Sequence, residues 1–192
     1  MKDKIVKIIK DSIAVKSSIV SDIDSIGDIE LISKKMISIF KDDNKLLLCG
    51  NGGSAADAQH IAAELSGRFY KDRGPLFAEA LHVNTSYLTA VSNDYGYDHV
   101  YSRMVEAMGR HGDALLAIST SGNSKNIVNA VKSANLIGMF TIGFTGKSKS
   151  DLDHMCDIII KVPSDNPARV QESHILLGHI LCQILEEALF HD

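Results

Sequence analysis

A chain of 192 residues, 45% apolar and 23% charged, is sized for one globular domain with its own core. Its net charge of −4 supplies no basic face for nucleic acid, and it has no run of about 18 apolar residues to cross a bilayer, so neither nucleic acid nor a membrane is an expected partner. Cys49, Cys156 and Cys182 are odd in number and lack paired spacing, which excludes a disulfide framework or zinc-finger pattern. Lysines and aspartates interrupt the apolar residues of the N-terminus too often for a secretory signal, and the expected location is the cytoplasm.

In chain order, Ile5, Ile8, Ile9, Ile13, Val15, Ile19, Val20 and Ile23 recur near helical period and predict one long amphipathic helix ended by Gly27. A second helix is expected over Ile29–Phe40, closed by Asp42, Asp43 and Asn44. Leu46–Cys49 reads as a buried strand. The turn Gly50-Asn51-Gly52-Gly53 follows, with Ser54 as expected N-cap of an Ala-rich helix. Residues 67–75 form a polar loop holding Arg68, Lys71 and Arg73. A short strand is expected at Ala80–Val83, and a helical turn or two from Thr85 to Val91 ending at Ser92-Asn93-Asp94. A helix is expected over Tyr97–Met108, a strand over Asp113–Ile118, then the sequence Ser119–Ser124 (STSGNS) and a helix over Lys125–Leu136. Phe140–Phe144 and Asp157–Val162 are the remaining strands, and a long helix runs from after Pro167 to Phe190.

Nearly all-apolar strands alternating with helices predict an α/β domain: a doubly wound parallel sheet flanked by helices on both faces, with long N- and C-terminal helices. One domain is expected over 1–192, with 1–41 as an N-terminal helical pair. Ligands of such sheets sit beyond the carboxyl ends of the strands, where both special turns fall.

The first turn joins a strand to a helix N-terminus, where backbone N–H groups and the helix dipole favour an anion. It also matches the dinucleotide pattern G-x-G-x-x-A, but no strand ending in an acid follows about 20 residues on, which argues against that use. The second turn offers four hydroxyls before a helix, a phosphate-binding arrangement, although an ordinary serine-rich turn has the same composition. His60 and Glu64, four residues apart, share a helix face. On the last helix, Gln171 and His174 share a face, whereas Gln171 and His179 are eight residues apart, about 80° off one face. Two histidines, a glutamate and a glutamine form a donor set for zinc or a similar divalent ion.

The segments GNGGSAADAQHIAAEL, SND (Ser92–Asp94), STSGNS and ARVQESH (Ala168–His174) with His179 together resemble the phosphoheptose isomerase family, whose fold is the sugar isomerase (SIS) fold. The resemblance spans nearly the whole chain. It implies a metal site, expected to hold one Zn2+ per subunit, at His60, Glu64, Gln171 and His179, selecting His179 where spacing favours His174. It implies substrate contacts at Asn51, Gly52, Gly53, Glu64, Arg68, Asn93, Asp94, Ser119, Thr120, Ser121, Ser124 and Gln171. One departure is Ala168, where some members carry an aspartate. The implied activity is aldose–ketose isomerisation of sedoheptulose 7-phosphate. That chemistry needs a base, here Glu64, an acid serving the oxygens, here His179, and stabilisation of the developing oxyanion. With the wide apolar stripe of the first helix, the resemblance implies a homotetramer. Two alternatives are an isomerase of another sugar phosphate and a non-catalytic SIS module that binds the replication initiator DnaA. The four candidate metal positions together argue against the latter.

Overall fold

In the computed structural model, which describes residues 1–190, two antecedent helices lead into an alternating α/β core. The helices are α1 (Lys2–Ser21) and α2 (Ile23–Lys41). The break falls at Asp22, which adopts extended backbone (φ −92°, ψ 99°) and accepts a hydrogen bond from Ser25 Oγ at 2.6 Å. Gly27 therefore does not end the first helix. It lies inside α2, where its cost of about 1 kcal/mol is outweighed by burial of Ile29, Ile32, Met36 and Ile39 on the same helix.

Then follow β1 (Leu46–Gly50), α3 (Gly53–Ser66), β2 (Ala78–Ala80) and α4 (Thr85–Tyr95). A short 3-10 turn (Tyr97–His99) leads to α5 (Val100–Met108), β3 (Ala114–Ile118), α6 (Lys125–Ile137), β4 (Phe140–Thr145), β5 (Ile158–Lys161) and α7 (Pro167–Leu189). The second strand starts two residues earlier than expected and ends three earlier, because Ala78, Glu79 and Ala80 pair with Leu46, Leu47 and Leu48. Helix α4 does not stop at Ser92: it continues through Asn93 and Asp94 to a C-cap at Gly96.

Among the described residues the sheet has five strands, all parallel, in the order β2-β1-β3-β4-β5. Alternate strand residues feed two cores. Leu46, Leu48, Leu116 and Ile118 pack with side chains of α1, α2, α3 and α7, while Leu47, Cys49, Leu115 and Ala117 pack with those of α4, α5 and α6. Helices thus cover both faces, which is why β1 and β3 are apolar on every residue. The chain leaves β1 toward β2 on one side and returns to β3 on the other. That reversal opens a crevice between the carboxyl ends of β1 and β3, where Gly50 pairs with Ile118.

Candidate active site

The turn after β1 is tight enough to demand glycine. A Cβ on Gly50 would lie 2.3 Å from the Ser54 carbonyl oxygen, and Gly52 has φ +55°. That positive φ lets the helix start early: Gly52, not Ser54, is the N-cap of α3, and its carbonyl accepts from Ala55 N at 3.1 Å and Ala56 N at 3.2 Å. Ser54 is buried inside the first turn. Asn51 is tied across the crevice to Asn126 of α6 by reciprocal amide bonds of 2.9 and 2.8 Å, and its Oδ1 also accepts from the Tyr97 hydroxyl at 3.1 Å. Tyr101 donates its hydroxyl to the Gly50 carbonyl. The two turns are therefore held as one unit.

The turn after β3 is built as a cradle. Ser119 is buried, its Oγ accepts from Gly122 N at 3.1 Å, and it stands 3.4 Å from Ser124 Oγ. Ser121 is exposed, with its Oγ accepting from Asn123 N at 3.2 Å, and Thr120 is half-buried. Ser124 is the N-cap of α6, yet its hydroxyl makes no capping bond. A hydroxyl and the first N–H groups of a helix thus remain available to an anion.

At the far end of α3, three donor atoms converge from two helices. His60 Nε2 lies 3.1 Å from Glu64 Oε1 and 3.5 Å from His179 Nε2 of α7, and one donor atom from each residue falls within 4.8 Å of the others. One ring N–H can serve only one neighbour, so the other lone pairs face each other. Four-coordinate zinc, with bonds of about 2.0–2.1 Å, spaces its ligand atoms about 3.3 Å apart. The two separations measured at His60 bracket that value, and two imidazoles with a carboxylate suit such an ion. The set fits a divalent metal.

Gln171, the fourth residue of the expected set, comes from the N-terminal half of α7. Its amide packs on Gly53, so closely that a Cβ there would meet Gln171 Nε2 and Oε1 at 2.7 Å. Gly53 precedes His60 by seven residues, or about 10 Å of helix. Gln171 thus borders the turn after β1. His174, the spacing-based alternative to His179, points elsewhere: it is wholly buried, with Nε2 3.2 Å from the Thr145 carbonyl and its ring beside Phe144. The hydrogen bonds that join the two turns do not reach Arg68, Asn93 or Asp94. Each of these is exposed, and Asn93 donates to the Asp94 carboxylate at 2.8 Å.

Several neighbours of the site carry no strong sequence signal. Asn126, Tyr97 and Tyr101 brace the turns through contacts that only the fold creates. Asp57, one helical turn before His60, has a buried Oδ2 without a hydrogen-bond partner, and burial pushes its carboxyl up to about 6 against the opposing pull of His60. Its signal was its position: Asp57, His60 and Glu64 follow one helix face.

Residues 11–146 match the SIS domain family. The whole chain is 50% identical to the phosphoheptose isomerase of Sulfurimonas denitrificans, covering 98% of that protein. The solved phosphoheptose isomerase of Neisseria gonorrhoeae is 41% identical, with a TM-score of 0.90 over 96% of this chain and 98% of that one. The Francisella tularensis phosphoheptose isomerase is 39% identical, with a TM-score of 0.91 over 96% of this chain and 97% of that one. The crevice, the serine cradle and the histidine–glutamate cluster thus sit in a fold shared over nearly its full length with these proteins, and the chain belongs to the SIS domain family as an isomerase of the phosphoheptose isomerase family.

Proposed function

We propose that this isomerase interconverts sedoheptulose 7-phosphate and D-glycero-D-manno-heptose 7-phosphate, supplying heptose for surface polysaccharide from the cytoplasm, as a homotetramer with one zinc ion per subunit. The observation that carries this reading is the convergence of His60, Glu64 and His179, from α3 and α7, on one set of donor atoms suited to a divalent ion. A module that only binds a partner protein has no need of that convergence.

The sugar phosphate binds with its phosphate at Ser119, Thr120, Ser121 and Ser124 and the first turn of α6, which fixes the far end of the chain and brings C1 and C2 to the cluster. Asn51, Gly52, Gly53 and Gln171 line the stretch between, and Arg68, Asn93 and Asp94 are further substrate contacts. Glu64 removes a proton from C1 of the ketose while the C2 oxygen gains one, giving the enediol. Glu64 then returns its proton to C2 as the C1 hydroxyl gives up its own, leaving the aldehyde at C1. His179 serves as the acid that carries protons to and from the two oxygens. His60, Glu64 and His179, with Gln171 as the fourth member of the proposed set, would hold the zinc ion, which polarises the carbonyl and stabilises negative charge on the neighbouring oxygens.

The test is an assay of sedoheptulose 7-phosphate isomerisation by purified protein, before and after a chelator, beside a pentose and a hexose phosphate. Chelator-sensitive turnover of the heptose phosphate is expected. Preference for a shorter sugar phosphate would replace the substrate, and no turnover of any of them would leave the binding-module reading.

A further inference from the structure

A buried ion pair joins α7 to the loop that follows α3. Arg73 Nε donates to Glu186 Oε2 at 3.1 Å, and the side chains are 3% and 2% exposed. Burying two charges recovers its desolvation cost only where every remaining donor and lone pair is matched. Here the matching is dense. Glu186 Oε1 accepts from Tyr70 N and Lys71 N, both at 2.8 Å, and Oε2 also accepts from Phe69 N at 3.1 Å. Arg73 Nη1 donates to the carbonyls of Leu65, Gly67 and Gly74 at 2.7, 3.0 and 3.0 Å, and Nη2 to that of Glu64 at 2.9 Å. Burial works to raise the Glu186 carboxyl, but the three N–H groups and the guanidinium outweigh it and hold it below the usual range, so the pair stays charged.

Two lines run from this pair into the site. One is the Arg73 bond to the main chain of Glu64, in the last turn of α3, where helix carbonyls lack partners of their own. The other passes through Phe69: Glu186 fixes its N–H, and its ring lies against the His179 imidazole with centroids 5.7 Å apart. Glu186 follows His179 by seven residues, so both stand near one face of α7. We propose that Arg73 and Glu186 are positioning residues of the isomerase, holding Glu64 through its carbonyl and His179 through Phe69, so that base and acid from two helices keep one geometry. This rests on the roles given above to Glu64 and His179.

Arg73→Lys keeps the charge but cannot span Glu186 and four carbonyls at once. Loss of an outer partner of a metal-site residue typically costs about 10–100-fold in affinity or activity. The expected result is a kcat and a Zn2+ affinity (apo protein titrated by calorimetry) each lower by about that factor, while inhibition by inorganic phosphate, which reads the serine cradle, stays at the wild-type value. A folded variant with wild-type kcat and Zn2+ affinity overturns the proposal, as does one whose phosphate inhibition weakens in parallel, the mark of a merely structural pair. Should Arg73→Lys fail to fold, Phe69→Leu decides. It leaves the ion pair intact and removes only the ring beside His179, so its kcat and Zn2+ affinity should fall with phosphate inhibition unchanged, and wild-type values there overturn the proposal. Wild-type protein that neither binds Zn2+ nor turns over substrate defeats the assignment of base and acid and this proposal with it. An active wild type with unaffected variants defeats the proposal alone.

Discussion

His174 and His179 stand five residues apart on α7, and the fold sends them to different environments. His179 reaches the cluster with His60, whereas His174 is enclosed, its Nε2 at the Thr145 carbonyl and its Nδ1 buried without a partner. Burial pushes the His174 imidazole down to about 4, against a smaller upward pull from Thr145. The unfolded chain, with an ordinary histidine pKa of about 6.5, therefore takes up this proton first. The contribution of neutral His174 to stability is complete above about pH 6.5 and is lost as pH falls toward 4. One such proton gives a slope of up to about 1.4 kcal/mol per pH unit. Thermal unfolding between pH 7.5 and 4.5 should show a falling midpoint in wild type and a flatter profile in His174→Gln. Parallel profiles would contradict the assignment. At this scale the sequence was half legible. His60 and Glu64 announce themselves because i and i+4 share a helix face whatever the fold. The choice between His174 and His179 depends on which side of α7 faces α3, and neighbouring residues carry no record of that. The Arg73–Glu186 pair, 113 residues apart, is of the same kind.

Among the elements, α1 is the one least explained by a single chain. Ile19 is its only buried residue, while Ile5, Val6, Ile8, Ile9, Ile13 and Val20 are exposed. It is held to α7 by polar contacts such as Ser12 Oγ to Glu172 at 2.7 Å, with its aliphatic face uncovered. A stripe of that length is larger than isolated surface apolar residues would make and fits burial against further copies. Light scattering at micromolar concentration should give four times the chain mass, and Ile5→Glu with Ile9→Glu should lower it. A monomeric wild type would contradict the proposed tetramer. The periodicity of α1 was plain in the sequence, but its end was not. Gly27 looked like a stop because glycine is a poor helix former, yet the packing of α2 overrode it and the chain turned at Asp22 instead.

For the whole molecule, the parallel sheet was legible because strands covered on both faces are near-continuous apolar runs, and β1 and β3 read that way. The strand order was not, and it is the order that makes the site: β1 and β3 are neighbours, so two turns separated by some 65 residues meet at one crevice. Parallel packing of α3 beside α7 then places Gln171 at Gly53 and His179 at His60, one pair at the turn and one at the cluster. In the proposed reaction Glu64 moves the proton between C1 and C2. Its most direct test is the turnover of Glu64→Gln relative to wild type on sedoheptulose 7-phosphate, both saturated with Zn2+. Glutamine keeps the size and an oxygen ligand but cannot accept the proton, so kcat should fall by about 10²–10⁴-fold. A metal-saturated Glu64→Gln protein that turns over at the wild-type rate would contradict Glu64 as the base.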